Sequence, residues 1–390
     1  MDQLRLYSEP ILGDGHFAYG KLGVIAMKGC EKTGAKINEY LNEFRYLPEV
    51  GVAENFLIKT DCPRFTTGEA KAIIEQSVRG HDIFILCDCY NYRVTYKLYD
   101  TDTYMSPDDH YRDLIRTIAA LNGKARRINV IMPMLYSSRQ DSRNDRRESL
   151  DCAIALQELA KMGVSNILCF DAHEPRVQNA IPISGFDTIT PSYQMIKALY
   201  GNVDDIELTS DKALIISPDE GAMQRCLRYS AYLGLGIGMF YKRRDYTRME
   251  GGENPVLSHD FLGSRKDVEG KDVIIIDDIL ATGGSLIQVA KKLHEMGAKR
   301  IFTFITFGQF SKGTGLFDKA YEDGIINKIF VTNANYKDEK IINKPWYCDV
   351  DISKYLATII NALNCDHSIS ALLSPIEKIN GLKQSKNNIK

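Results

Sequence analysis

The chain has 390 residues, 44% of them apolar, and its 49 basic residues nearly balance 51 acidic ones. This length suffices for two ordinary domains with hydrophobic cores. The balanced charge argues against a surface that binds duplex nucleic acid or an anionic membrane.

No apolar run reaches the roughly 20 residues that a membrane span needs, and the opening sequence MDQLRLYSEP lacks the layout of a secretory signal. The nine cysteines are an odd number scattered through apolar runs, which is typical of reduced thiols inside a cell. No second pair at zinc-ligand spacing follows Cys87 and Cys89, so a metal role for them is disfavoured. We therefore expect a soluble, cytoplasmic protein that binds neither nucleic acid nor membrane.

Short apolar runs alternate with amphipathic stretches along the chain. Runs whose two faces are both apolar predict strands buried in a parallel sheet. They lie at 22–27, 82–87, 128–134, 166–171, 213–219, 272–278, 300–308 and 328–333. The amphipathic stretches 149–163 and 284–299 predict helices between neighbouring strands. This alternation predicts an α/β fold with parallel sheets.

The strand–helix rhythm runs twice, with a looser region near 184–212, and so predicts two similar domains. The tyrosine-rich stretch 88–112 has no clear period, and we interpret it as a long loop or insertion. The polar segment 381–390 predicts a frayed terminus.

The segment 273–286, VIIIDDILATGGSL, carries the strongest chemical signal. A buried strand ends in Asp277 and Asp278, at the edge where open sheets bind ligands. These carboxylates suit ribose hydroxyls or a hydrated magnesium ion. A short loop then opens a helix, where backbone N–H groups, hydroxyls and the helix dipole favour a phosphate. The loop residues are Thr282, Gly283, Gly284 and Ser285.

This segment resembles the phosphoribosyl pyrophosphate motif shared by phosphoribosyltransferases and phosphoribosyl pyrophosphate synthetases. Further segments resemble those of the synthetases, the ribose-phosphate diphosphokinase family, in the same order from about residue 20 to 366. They are FTTGE at 65–69, SVRGHDIFIL at 77–86, PMLYSSRQDSR at 133–143, FDAHE at 170–174, ISPDEGAMQR at 216–225, YKRRD at 241–245, VTN at 331–333 and VDISKYLATII at 350–360.

The resemblance implies two tandem phosphoribosyltransferase-like domains with parallel twisted sheets flanked by helices. The first, at 20–188 with 350–366, is expected to bind ATP, and the second, at 189–349, ribose 5-phosphate. The implied reaction transfers diphosphate from ATP to the anomeric hydroxyl of the sugar and releases AMP. Such a reaction needs positioning and charge neutralisation more than covalent help.

The resemblance also assigns roles to single residues. Arg139 and Gln140 correspond to family positions that contact ATP, and a guanidinium fork suits phosphate oxygens. Phe65 and Glu69 correspond to a loop that reaches a neighbouring subunit's ATP site, which implies a homo-oligomer built from dimers, with a hexamer as one form.

Magnesium is the implied cofactor, and His173 and Asp219 match the family positions that coordinate it. Lys242 and Arg244 match the catalytic pair, which stabilises charge on the transferring phosphates. The glycines at 249–255 suit a mobile lid.

The sequence departs from the family pattern at several positions. Ala281 replaces the acid that usually precedes the loop threonine. The family's Thr-His-Gly segment reads Thr306, Phe307, Gly308 here, so phenylalanine replaces the histidine. Ala172 and Glu174 flank His173 where other residues are usual. These changes leave open a catalytically silent subunit that assembles with an active synthetase.

Two other classes are weaker. A phosphoribosyltransferase needs a hood that binds the base, and none is legible. The segment 29–36, GCEKTGAK, nearly spells a Walker A loop, but Ala35 displaces its lysine and no hydroxyl follows.

Overall fold

The computed structural model describes residues 18–45, 53–121, 123–143, 147–244 and 256–387. They form two compact units. The first contains the described residues up to Thr190, together with Ala334–Tyr336 and Asp351–Leu373. The second contains Pro191–Asn333, Lys337–Val350 and the described residues from Ser374 onward. Within the described ranges, no helix has the length and apolar character to cross a membrane.

The elements of the first unit alternate between strand and helix. In chain order to residue 190 they are β1 (Lys21–Ala26), α1 (Glu31–Arg45), β2 (Thr60–Asp61), β3 (Ile73–Ile74), β4 (His81–Leu86), β5 (Thr95–Leu98), β6 (Thr101–Tyr104), α2 (Pro107–Leu121), β7 (Arg127–Ile131), α3 (Asp151–Lys161), β8 (Asn166–Phe170), a 3-10 helix (Pro175–Ala180) and β9 (Gly185–Ile189).

The remaining elements follow the same rhythm. They are α4 (Ser192–Asn202), β10 (Ala213–Ser217), α5 (Met223–Leu233), β11 (Gly236–Arg244), β12 (Val256–Leu262), α6 (Arg265–Val268), β13 (Asp272–Leu280), α7 (Gly284–Glu295), β14 (Arg300–Gly308), α8 (Gly315–Glu322), β15 (Lys328–Thr332), α9 (Glu339–Ile342), β16 (Tyr347–Val350), α10 (Ser353–Asn364), α11 (Ser370–Leu373) and α12 (Ile376–Asn387). Helices α10 and α11 belong to the first unit.

Each unit is built on a largely parallel sheet. In the first unit five parallel strands run in the order β1-β4-β7-β8-β9. In the second, seven strands run in the order β12-β11-β10-β13-β14-β15-β16, and only the edge strand β12 is antiparallel among them. The predicted α/β fold of two similar domains is therefore confirmed.

Burial on both faces explains why the strands read as continuous apolar runs. Along β13, Val273 and Ile275 pack in the core that contains α7 and α8. The alternate residues Ile274 and Ile276 pack in the core that contains α4, α5 and α12. The period of two along a strand sends successive side chains into opposite helical layers.

Both sheets carry the same buried ion pair between directly paired residues of neighbouring strands. In the first unit, Arg127 Nη2 and Nε lie 2.7 and 2.8 Å from the two carboxylate oxygens of Asp82. In the second unit, Arg300 and Asp272 repeat this fork at 2.6 and 2.8 Å. The same pairing of an aspartate and an arginine thus recurs near the start of neighbouring strands in each sheet.

Two sequence-based interpretations were wrong. The stretch 88–112 is not an irregular loop: β5 and β6 form a two-stranded antiparallel hairpin within it, and α2 begins at Pro107. Its turn contains no glycine, so the usual hairpin signal was missing. The segment 381–387 is not frayed, because α12 continues to Asn387, and residues 388–390 lie outside the described part of the chain.

Two lysines of helix α12 donate hydrogen bonds to backbone carbonyl oxygens at the C-terminal ends of α4 and α5. Lys383 Nζ donates to the carbonyl oxygens of Tyr232 and Leu233 at 2.9 and 3.0 Å, at the C-terminus of α5. Lys386 Nζ donates to the Tyr200 carbonyl oxygen in α4 at 3.0 Å. These lysines satisfy carbonyls that a helix terminus leaves without partners, and Ile379 is fully buried beneath them.

The Asp82–Arg127 fork yields a stability prediction. Arg127→Lys keeps the charge but loses the bidentate geometry around a fully buried carboxylate, so we expect it to lower the free energy of unfolding by about 1–3 kcal/mol. Urea unfolding measures this. The control Lys59→Met breaks the exposed Lys59–Glu75 pair and should change stability by less than about 0.5 kcal/mol. Equal effects of the two variants would contradict the role of the fork.

Candidate functional site

Strand β13 carries two carboxylates to the carboxyl edge of the second sheet. It pairs with β10 on one side and β14 on the other, and its residues Val273–Ile276 are almost fully buried. Asp277 is half-buried and Asp278 is buried at the end of this run. The carboxyl edge of a parallel sheet is where the following helices begin, and ligands of open α/β sheets bind there.

The two carboxylates are held by different partners. Asp278 Oδ2 lies 3.3 Å from Arg225 Nη2 of helix α5, and its Oδ1 accepts a hydrogen bond from the Ile279 N–H at 2.9 Å. Asp277 Oδ1 accepts from the Asp278 N–H at 2.9 Å. The side chains of Arg225 and Asp278 are only 7% and 5% exposed, so this ion pair lies within the protein rather than on its surface.

The electrostatics of the edge disfavour a further negative charge. Burial, followed by the charges of Asp278 and Asp219, raises the pKa of Asp277 well above its usual range. Arg225 opposes this effect. A bound cation or hydroxyl donors would stabilise the ionised carboxylate, because they restore the favourable interactions that burial removed.

The loop after β13 leaves no space for a side chain at its centre. Gly283 has φ of +82°, and a Cβ there would lie 2.1 Å from Cζ of Phe317. Helix α7 starts at the next residue, Gly284, and the flanking Thr282 and Ser285 are exposed. The close approach to Phe317 therefore positions the N–H groups of the first turn of α7, which suit an anion.

Ala281, one of the departures from the family pattern, is hydrogen-bonded to the loop after β14. Its carbonyl oxygen accepts hydrogen bonds from the Ser311 N–H at 2.9 Å and the Ser311 hydroxyl at 3.1 Å. The backbone of the loop is thus anchored at a position that carries only a methyl group.

Asp219 lies just beyond β10, the neighbour of β13. Its Oδ1 accepts from the Ala222 N–H at 3.1 Å, and its carbonyl oxygen accepts from the Ser217 hydroxyl at 2.6 Å. Because β10 and β13 pair in parallel, Asp219 lies at the same sheet edge as Asp277 and Asp278.

These oxygen donors fit magnesium in kind. Magnesium prefers carboxylate oxygen and usually keeps several waters and substrate oxygens in its shell. Among the described residues no three His, Cys, Asp or Glu side chains form a ready-made metal cluster. His173, the other predicted ligand, belongs to the first unit, whereas Asp219 belongs to the second.

In the first unit, His173 and the Arg139–Gln140 segment follow adjacent strands. His173 is exposed in the loop after β8, which begins with the buried Asp171 at φ +33°. Its neighbour Glu174 bonds the Arg176 guanidinium, which lowers the pKa of that carboxyl to about 2.

Arg139 and Gln140 lie in the turn after β7. Arg139 is exposed. The Gln140 side-chain amide donates to the Ser149 carbonyl oxygen at 2.7 Å. The backbone carbonyl oxygen of Gln140 accepts from the Cys152 N–H at 3.3 Å, at the start of α3. Gln140 therefore connects the turn after β7 to the residues at the start of α3.

Phe65 and Glu69 lie together on a tight turn between β2 and β3. The Phe65 N–H donates to the Glu69 carbonyl oxygen at 2.7 Å, and both side chains are exposed. The predicted catalytic pair, Lys242 and Arg244, falls on strand β11, opposite β12. Their side chains lie outside the described part of the chain, as does the predicted lid at 249–255.

Sequence reasoning missed two residues that shape the end of β13 and the loop after it. In the sequence, Arg225 is only the last residue of the segment 216–225, yet in the structure it forms the buried ion pair with Asp278. A lone arginine on the buried face of an amphipathic helix was the available signal. No signal in the sequence pointed to Phe317, because its contact with Gly283 depends on how α8 packs.

Comparison with known proteins agrees with this arrangement. Residues 22–163 match the N-terminal domain of ribose phosphate pyrophosphokinase, and residues 186–338 match the phosphoribosyl transferase domain. The chain is 27% identical over 316 residues to a ribose-phosphate pyrophosphokinase of Vibrio cholerae, covering 80% of this chain and 90% of that protein. It is 26% identical over 314 residues to that of Aquifex aeolicus, covering 80% and 89%.

Among solved structures, phosphoribosylpyrophosphate synthetase from Mycobacterium smegmatis has the same fold, with a TM-score of 0.69 and 21% sequence identity. The match covers 88% of this chain and 98% of that one. The two domain matches and the curated relatives agree with the order of motifs along the sequence. The chain belongs to the ribose-phosphate pyrophosphokinase (ribose-phosphate diphosphokinase) family.

Proposed function

We propose that this chain transfers the diphosphate of ATP to the anomeric hydroxyl of ribose 5-phosphate, giving phosphoribosyl pyrophosphate and AMP. The observation that carries the proposal is the acid-tipped strand β13, which leads through Gly283 into α7. This feature lies within a chain that matches the family over both domains.

Ribose 5-phosphate is assigned to the second unit. The exposed hydroxyls of Thr282 and Ser285 and the first N–H groups of α7 suit the phosphate. Asp277 suits the ribose hydroxyls, because hydroxyl donors stabilise a carboxylate whose pKa is raised. Asp278, paired with Arg225, fixes the end of the strand.

ATP is assigned to Arg139, Gln140, Phe65 and Glu69. The exposed Arg139 guanidinium suits the phosphates, and the exposed Phe65 ring offers a face to adenine. Gln140 is also expected to hold the Arg139 segment in place, since its amide bonds the Ser149 carbonyl oxygen.

Asp219 in the second unit and His173 in the first are each proposed as magnesium ligands, and substrate phosphates and water would supply further oxygen atoms. When bound, magnesium neutralises charge on the phosphates. Lys242 and Arg244 act on the same charge from strand β11. The anomeric oxygen attacks the β-phosphorus in line, the bond from the β-phosphorus to the oxygen shared with the α-phosphate breaks, and AMP leaves. The hydroxyl proton is released to solvent.

The biological setting is also a proposal. The boundaries 20–188 with 350–366, and 189–349, separate the ATP-binding and sugar-binding domains. All nine cysteines are free thiols, which favours a reducing cytoplasm. Because the family loop at Phe65 and Glu69 serves a neighbouring subunit, a homo-oligomer built from dimers is proposed as well.

A second candidate is a silent subunit that assembles with an active synthetase. Ala281 favours it, because one carboxylate is lost beside the sugar loop. A coupled assay for AMP, with and without ribose 5-phosphate, separates the two. AMP formation that requires the sugar supports the enzyme. Sugar binding without AMP formation supports the silent subunit.

Arg244→Ala tests the catalytic pair. Removing a cation that acts on the transferring phosphates should lower kcat by about 10²–10³-fold, while the Kd for ribose 5-phosphate stays within about twofold of the parent. Stopped assays for AMP and calorimetry measure the two quantities. Arg243→Ala, which removes the same charge from the adjacent position, is the control. A parallel loss of turnover and sugar affinity would contradict the role of Arg244.

Asp277→Asn and Asp278→Asn should have opposite effects on stability. The pKa of Asp277 is raised above the ordinary value of 3.8, so the folded state keeps this proton to higher pH than the unfolded state. The Asp277 carboxyl therefore lowers stability progressively as the pH rises above about 4. Asp277→Asn should stabilise the protein at pH 7, less so near pH 4, and weaken sugar binding.

Asp278→Asn instead removes a buried partner of Arg225 and should destabilise the protein by about 1–3 kcal/mol at pH 7. Chemical unfolding at pH 4 and pH 7 measures both variants. Destabilisation by Asp277→Asn that grows with pH would show that the sign assigned to its pKa shift is wrong.

Gly283→Ala should distort the loop at 282–285, which we assign to the sugar phosphate, since the new methyl group would clash with Phe317. We expect ribose 5-phosphate affinity to fall by at least about tenfold. The matched control is Gly163→Ala, where φ is +86° but no atom lies within 4 Å of the new methyl group. Both variants bear the left-handed backbone cost, about 1 kcal/mol, but only Gly283→Ala should lose sugar affinity in calorimetry. Unchanged affinity in that variant would remove the loop from the sugar site.

A further inference from the structure

The hairpin of β5 and β6 has an unusual turn. Leu98 pairs with Thr101, so Tyr99 and Asp100 alone connect the strands. Their φ values are +45° and +62°. Two-residue turns of this kind are usually made by asparagine and glycine, because bulky residues rarely adopt positive φ. A tyrosine retained there indicates that surrounding contacts hold the turn in place.

One of those contacts joins the hairpin to the turn that carries Phe65 and Glu69. The Tyr99 N–H donates to the carbonyl oxygen of Thr66 at 2.9 Å. Within the turn, the Phe65 N–H donates to the Glu69 carbonyl oxygen at 2.7 Å, and the Gly68 N–H donates to the Phe65 carbonyl oxygen at 2.9 Å. The turn is thus closed by its own hydrogen bonds and held from outside by the hairpin.

Side chains of the hairpin contact the turn at two more points. A Cβ on Gly68, where φ is +91°, would lie 2.8 Å from Cδ1 of Leu98. Arg64, immediately before the turn, lies with its guanidinium 4.7 Å from the centre of the Tyr96 ring and bonds Asp113 of α2 at 2.8 Å. The Arg64 side chain is only 8% exposed, so it links hairpin, turn and helix within the protein.

The aromatic ring that this arrangement presents is not part of the core. Phe65 is 55% exposed, although the backbone around it is fixed by the contacts described above. An exposed ring on a preformed turn suits a planar ligand, since the cost of ordering the turn is met before binding.

We propose that the β5–β6 hairpin is a positioning element for the nucleotide. It holds the Phe65–Glu69 turn in the conformation that presents Phe65 to adenine, so ATP affinity depends on hairpin residues that do not touch ATP. This inference rests on the proposed function, which assigns that turn to ATP.

The test uses the full chain and Leu98→Ala, which removes the side chain that packs on Gly68. Calorimetry with a non-hydrolysable ATP analogue and magnesium should show about tenfold weaker binding, whereas ribose 5-phosphate affinity stays within about twofold. Amide hydrogen exchange in 66–69 should become faster. The control Lys97→Ala breaks an exposed ion pair with Asp102 on the same hairpin and should change none of these quantities.

Phe65→Ala completes a double-mutant cycle. If Leu98 acts through Phe65, the double variant should bind the analogue no more weakly than Phe65→Ala alone. Additive losses would overturn the proposal, as would a folded Leu98→Ala with unchanged ATP affinity. Equal losses of ATP and sugar affinity would show general destabilisation instead and also overturn it.

Failure of the proposed function gives a different result. If the parent protein does not bind the analogue, or Phe65→Ala binds it normally, the assignment of the turn to ATP is wrong, and the positioning role is rejected with it. If Phe65→Ala weakens binding and Leu98→Ala does not, only the positioning role is rejected.

Discussion

The carboxylates at the end of β13 depend on a local balance between burial and charge. Asp278 remains buried because Arg225 faces it at 3.3 Å, whereas Asp277 has its pKa raised by burial and by its acidic neighbours. Arg225 compensates the charge of Asp278, but the Asp277 carboxylate lies among acidic neighbours. A ligand that brings hydroxyl donors or a cation would stabilise the ionised Asp277. Such a site is expected to cost folding stability when Asp277 is ionised, a relation common where binding groups are held in unfavourable surroundings.

The loop between β13 and α7 depends on the packing of side chains behind it. Phe317 belongs to the core that contains Trp346 and Phe310, and Gly283 rests against its ring. The aromatic core therefore fixes where the first turn of α7 begins. A site for an anion made from backbone N–H groups needs such support, because the donors have no side-chain freedom with which to adapt.

The sequence predicted the parallel sheets and the turn from β13 into α7, because buried strands and a glycine turn before a helix leave strong local patterns. The contacts that complete the edge were not predictable in this way. Arg225 and Phe317 reach the loop from separate helices, and the hairpin at 95–104 has tyrosine and aspartate where turn signals call for glycine. The Asp82–Arg127 and Asp272–Arg300 forks likewise require knowledge of strand register.

We propose that a sugar held at the edge of β13 receives a diphosphate rather than a single phosphate. Phosphorus NMR of the purified protein with magnesium, ATP and ribose 5-phosphate tests it most directly. The account predicts equal amounts of AMP and of a new diphosphate attached to the sugar, with neither formed when the sugar is omitted. Unchanged ATP, or conversion of ATP to ADP and a sugar monophosphate ester, would contradict it.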